Sequence, residues 1–199
     1  MTILKPHDSD FRRAVKLVAI LNLAYFGIEF AVALGIGSVS LFSDSIDFLE
    51  DSSINLLILL ALGWSPLARA RVGMALAGIL LIPGIAALGT AWKKFSLPLP
   101  PAPVPLSLTG AGAFLVNLSC AFILTRYRTH AGSLARAAFL SARNDVLANL
   151  AIVSAGILTA YFPSIWPDFL VGLGIASLNA NAAREVYRAA KEEHRNAIP

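Results

Sequence analysis

Six stretches of the chain, at 12–35, 39–63, 70–92, 105–126, 133–161 and 167–188, are each apolar over the length a bilayer-crossing helix needs, about 20 residues. Together they take up most of the 199 residues. The bulk properties agree: 57% of the residues are hydrophobic, 14% are charged, and the mean hydropathy is +0.70, well outside the balance of a soluble domain. The expected fold class is an all-α membrane protein with six transmembrane helices and both termini cytoplasmic. Residues 1–11 then form a cytoplasmic N-terminal tail, 12–190 the six-helix transmembrane domain, and 191–199 a short cytoplasmic C-terminal tail.

Positive charge sets the expected orientation. With the N-terminus inside, Lys5, Arg12, Arg13, Lys16, Arg69, Arg71, Arg126, Arg128, Arg136, Arg184, Arg188, Lys191 and Arg195 fall on the cytoplasmic side, 13 of the 16 basic residues. Lys93 and Lys94 fall on the opposite side and Arg143 within a span, which is the bias of a membrane protein whose positive loops stay inside. The net charge of +4 thus reports topology, and no nucleic-acid partner is expected. "MTILKPHDSDFRRAVK" has neither the short apolar core nor the cleavage site of a signal peptide. Cys120, the one cysteine, lies in an apolar run, so neither a disulfide framework nor a cysteine metal cluster is available. The connection "KKFSLPLPPAPVP", with Pro98, Pro100, Pro101, Pro103 and Pro105, is expected to be extended. Pro83 and Gly84 are expected to kink the third span. Small residues four apart, Gly73 and Ala77 in span three and Gly172, Ala176 and Ala180 in span six, suit close helix contacts within a subunit or across a dimer.

Against this background, "SLFSDSIDFLEDSSIN" sets four acids at the head of the second span. Asp47, Asp51 and Asn55 are four apart and share a helix face, Asp44 joins them one turn earlier, and Glu50 points toward the rim. Span five has the same design in "SARNDVLAN", with Ser141, Asp145 and Asn149 four apart and Asn144 beside them. Two such helices suit a shared polar site. Two carboxylates from one helix and a third from another cannot stay ionised and uncompensated in a low-dielectric bundle, so protons or a cation must neutralise them. A divalent cation does this through oxygen ligands and competes with protons for the same carboxylates. The alternative is that the acids line a water-filled crevice or pair with Arg143, although one arginine against three acids leaves net negative charge.

Other polar residues are accessory candidates. Glu29, with Asn22 and Tyr25 in span one, suits a proton relay or a second cation stop, unless it faces water at the outer end. Asn117 in span four suits an interhelical hydrogen bond or a ligand. Asp168, following Pro167, reads as the N-cap of its own helix. His7, His130 and His194 are scattered singly and read as solvated. Beyond serines without a histidine partner, no nucleophile and base pair occurs at membrane depth, so no enzyme is expected.

The stretch "GSVSLFSDSIDFLEDS" resembles the second-span signature of the cation diffusion facilitator family, the divalent-metal efflux transporters. In that family "GS" leads to "SL", then an Asp or His, three residues and an Asp; the last two positions are Asp47 and Asp51 here. The fifth-span pair of the family is similar to "SARNDVLAN", with Asp145 at its second position and Ser141 at its first. "PDFLVGLGIASL" resembles the sixth span, and Asn117 falls where the fourth often has an Asn.

The resemblance runs over residues 12–188 and implies a homodimeric transporter that moves zinc or a related divalent ion out of the cytoplasm in exchange for protons, by alternating access. The metal ion is then substrate, with no prosthetic group, and the location is the plasma membrane, or the inner membrane if bacterial. Three departures follow. "KEEHRNAIP" stands where the family's cytoplasmic metal-binding domain is expected, the histidine-rich loop between spans four and five has no counterpart, and Ser141 replaces the fourth ligand. Asp47, Asp51 and Asp145, with Ser141 or Asn144 as weaker ligands, make a hard oxygen set suited also to manganese, iron(II), cobalt or magnesium. Asp44, Glu29, Asn22 and Asn117 are expected along an accessory or proton pathway. A non-transporting metal sensor or partner subunit with the same fold is the runner-up, and an exporter of an organic cation against Tyr25 and Phe48 the third reading.

Overall fold

A computed structural model of the chain describes residues 6–60, 71, 81–126, 132–177 and 195. Its elements are helices: α1 Pro6–Ile36, α2 Val39–Leu60, α3 Leu81–Ser96, α4 Pro103–Thr125 and α5 Gly132–Tyr161, with α6 at 166–177. Gly73, Ala77 and Ala180, most of the first half of predicted span three, and the C-terminal part of predicted span six lie outside the described residues.

Local chemistry explains the boundaries. Gly37 adopts φ 62°, a left-handed conformation in which glycine has no Cβ to clash, and this ends α1 and reverses the chain. Ser38 then caps α2, its Oγ accepting the Leu41 backbone N–H at 3.1 Å. At the Pro-rich connection the expectation needs correcting, because Pro103 and Pro105 sit inside the first turn of α4. The first amides of a helix have no intrahelical acceptor, so a missing N–H costs nothing there. The extended part is confined to the residues before it, with Ala102 at φ −63° and ψ 119°. α3 likewise runs four residues past the predicted end of span three, taking Lys93 and Lys94 into its last turn.

α2 lies at the centre. It packs along α1 and touches α3, α4 and α5, and every residue from Ser38 to Leu49 is buried. Two apolar clusters bracket its polar stretch. Toward one end, Ala33, Leu41, Phe42, Ala87, Leu106, Ile152 and Ile175 bring all six helices together. Toward the other, Val18, Cys120, Ala121, Leu124 and Ala142 join α1, α4 and α5. Gly172 lets α6 close on the start of α2, where an added Cβ would come 2.7 Å from the Val39 carbonyl carbon, so this small residue serves packing within the chain.

The outside is apolar. Leu17, Ile20, Leu23 and Ile28 on α1, Leu108, Leu115 and Phe122 on α4, and Leu147, Leu150, Ile157 and Leu158 on α5 are exposed, while carboxylates and amides are buried. That inversion is stable only where the surrounding solvent is hydrocarbon. Asp10–Ile36, Pro103–Thr125 and Ala142–Tyr161 are long and apolar enough to cross a membrane, and no more than 39% of any of their most apolar windows is buried. Trp92, Tyr161, Phe162 and Trp166 are exposed together at the ends of α3 and α5 and the start of α6, as aromatic side chains are at a membrane–water boundary.

Candidate functional site

Between the two apolar clusters lies a layer of polar side chains contributed by α1, α2, α4 and α5. Its organising feature is a relay of amides. Asn117 on α4 donates through Nδ2 to Asn149 Oδ1 on α5 at 3.1 Å, and Asn149 Nδ2 donates to Asp44 Oδ2 on α2 at 2.6 Å. All three residues are buried, and the relay fixes which amide atom is donor at each step. Asn117 is thus an interhelical hydrogen-bonding residue, as one of its two sequence readings held.

Glu29 differs from the reading that set it facing water. It is wholly buried, and its carboxyl group lies within hydrogen-bonding reach of that of Asp44. Among the described residues, no N–H or O–H reaches Glu29 Oε1, Glu29 Oε2 or Asp44 Oδ1. Tyr25, one turn along α1, donates its hydroxyl to the Thr109 carbonyl at 2.6 Å and packs its ring 5.1 Å from that of Phe48. Asn22 accepts the Cys120 thiol at 3.7 Å through Oδ1, and its Nδ2 has no partner.

One turn further along α2, Asp47 is 9% and Asp51 5% exposed, and Asp145 on α5 is half-buried. The three acids lie within electrostatic reach of one another, and Glu50 adds its charge to Asp47 and Asp145. The face shared by Asp44, Asp47, Asp51 and Asn55 is therefore an interior face. Among the described residues, no three His, Cys, Asp or Glu side chains converge as a ready-made ligand set. Asn55 Nδ2 donates to its own helix at Asp51 O, 2.7 Å away. Asn144 is exposed and accepts from Arg143 Nη2 at 3.3 Å, which turns both residues away from the polar layer. The Ser141 side chain lies outside the described residues.

Exposure along this layer is graded. Glu29 and Asp44 show none, Asp47 and Asp51 show a little, and Asp145 more. Asn55, a turn beyond Asp51 on α2, is again buried at 1% exposed, so Asp145 on α5 is the most exposed acid of the layer.

A second buried polar group joins the opposite end of the bundle, and sequence reasoning missed it. Asp168 does not cap its own helix. Its Oδ1 accepts Ser38 Oγ at 2.6 Å, Ser40 Oγ at 2.6 Å and Ser40 N at 3.1 Å; its Oδ2 accepts Val39 N at 2.9 Å and Lys94 Nζ at 3.0 Å. It caps α2 from 129 residues away. The usable signal was Lys94, a cation next to an apolar run with no acid near it in sequence.

Residues 15–192 match the cation efflux transmembrane domain as a family. No individual curated protein matches the chain significantly.

Proposed function

This chain belongs to the cation efflux family, and from that premise we propose that it carries a divalent metal ion out of the cytoplasm in exchange for protons, with Asp47, Asp51 and Asp145 as the carboxylates that take up the ion. The observation that carries this reading is the layer itself: three acids from two helices, enclosed between apolar clusters. Protons arriving from outside would then neutralise the carboxylates and release the ion, and the deprotonated site would reload on returning inward. The oxygen-only donor set favours zinc's harder neighbours, manganese, iron(II) or cobalt, alongside zinc. Ser141 remains a candidate for the shell. The exposed Asn144 would have to turn inward to join it. A homodimer in the plasma membrane, or the inner membrane of a bacterium, follows from the family resemblance.

The test is flux in proteoliposomes across a metal panel under a pH gradient. The parent moves a divalent ion and Asp51→Ala does not; equal flux in the two would end the proposal. The second reading, a sensor or partner subunit, is favoured by the acids not converging as a ligand set among the described residues. Metal binding without flux in the parent would select it.

A further inference from the structure

We propose that Glu29 and Asp44 form a second cation-binding station, a helical turn outward of Asp47, that takes a hard divalent cation. The inference rests on the reading of this chain as a cation carrier and adds a step to the ion's path. Two helices build the station: α1 supplies Glu29 and α2 supplies Asp44, both wholly buried and with their carboxyl groups in hydrogen-bonding reach of each other.

Three oxygens are left without a partner there, Glu29 Oε1, Glu29 Oε2 and Asp44 Oδ1. Buried polar atoms are nearly always partnered, so each exception calls for a cause. The unpartnered Asn22 Nδ2 on α1 reaches neither carboxyl group, and the other donors nearby among the described residues are committed elsewhere. The Tyr25 hydroxyl hydrogen goes to Thr109 O, Asn117 gives its amide to Asn149, and Asn149 already serves the other Asp44 oxygen. The groups around the pair are Asn22 and Tyr25 from α1, Asp47 from α2, Asn117 from α4, and Asn149 and Asp145 from α5. None is cationic. Lys94 is held by Asp168, and Arg143 is exposed.

The choice of occupant follows from counting. A single proton between two carboxyl groups satisfies one oxygen as donor and a second as acceptor, leaving the third orphaned. A metal ion seated between the two carboxyl groups would offer all three a partner. Small hard cations are commonly held by one or two carboxylates, with water or carbonyl oxygen completing the shell. The donors here are oxygens only, the chemistry that suits magnesium and manganese. Two stations in series also serve release, because an ion that binds at successive weaker positions leaves more readily than one held in a single deep site. The helix faces agree, since Asp44 and Asp47 share α2, and Asn149 and Asp145 share α5.

The experiment is an equilibrium count of Mn2+ bound per chain on the purified full-length protein, by dialysis and elemental analysis. The parent is expected to hold two ions, Glu29→Gln one, Asp44→Asn one, and Asp51→Asn one. Addition of Mn2+ is also expected to raise the melting temperature of Glu29→Gln less than that of the parent. The station is overturned if Glu29→Gln and Asp44→Asn each bind as many ions as the parent, or if Mn2+ stabilises Glu29→Gln and the parent equally. It is also overturned if the parent binds a single ion that Asp51→Asn abolishes, an outcome that leaves the Asp47, Asp51 and Asp145 site standing. Failure of that site reads out separately, as unchanged flux in Asp51→Ala.

Discussion

Replacing Asp168 with alanine tests the lock at the start of α2. The change strips the counter-charge from Lys94, which is 5% exposed, and leaving one partner of a buried ion pair uncompensated costs about 3–5 kcal/mol. The same change orphans the Val39 and Ser40 amides and two serine hydroxyls, each worth about 1 kcal/mol. These terms overlap, because water entering the gap serves several of them. A net loss of about 4 kcal/mol is expected, a large share of the roughly 5–15 kcal/mol that separates a folded domain from its unfolded state. At about 2–4 °C for each kcal/mol in a chain of this size, the melting temperature drops by about 10 °C. The assay is a thermal melt of the purified protein in one detergent, followed by circular dichroism. Asp168→Asn keeps the shape and the acceptor for Ser38 and Ser40 but also strands the Lys94 charge, so it loses nearly as much. Lys94→Met in the Asp168→Ala background costs less than in the parent, since the stranded charge is gone. If Asp168→Ala melts within about 2 °C of the parent, the network contributes little and the reasoning is wrong.

Two further outcomes follow from the packing. Asn149→Leu removes the donor to Asp44 and the acceptor for Asn117, so a loss of about 2–3 kcal/mol is expected together with reduced flux; parental stability in the same melt would show that the relay is dispensable. Gly156→Ala would bring a Cβ to 3.0 Å from the backbone nitrogen of Ser107 and 3.2 Å from its Cα. Backbone atoms cannot swing aside, so α4 and α5 must separate at a cost of about 1–3 kcal/mol, and the variant is expected to melt lower than Gly27→Ala, where no atom lies within 4 Å of the added Cβ.

Much of the arrangement was legible because membrane chains advertise their rules. Apolar length points to helices, of which Asp10–Ile36, Pro103–Thr125 and Ala142–Tyr161 are long and apolar enough to cross a membrane, and the four-residue spacing of Asp47, Asp51 and Asn55 put them on one interior face because a helix repeats about every 3.6 residues. What stayed hidden depends on which helices meet. Nothing local to Glu29 distinguishes a rim acid from a wholly buried one; only the approach of α2 does. Asn144 is the weaker ligand the sequence offers and Asn149 only a member of the repeated spacing, yet on α5 it is Asn149 that faces Asp44 and Asn144 that faces the exterior. Pro103 and Pro105 misled for another reason, since the same residue breaks a helix in its middle and begins one at its first turn. Asp168 was assigned to the nearest helix start, whereas the helix it caps begins far upstream.

That long-range cap bears on how the protein is made. α1 and α2 leave the ribosome well before Lys94, and Asp168 comes later still, so the first amides of α2 must wait, hydrated or otherwise satisfied, while the intervening helices enter the bilayer. The central helix therefore reaches its final seating late in synthesis, when α6 docks. A chain interrupted before Asp168 would carry an acid-rich helix with an unfinished end, the kind of segment that membrane quality control is built to extract.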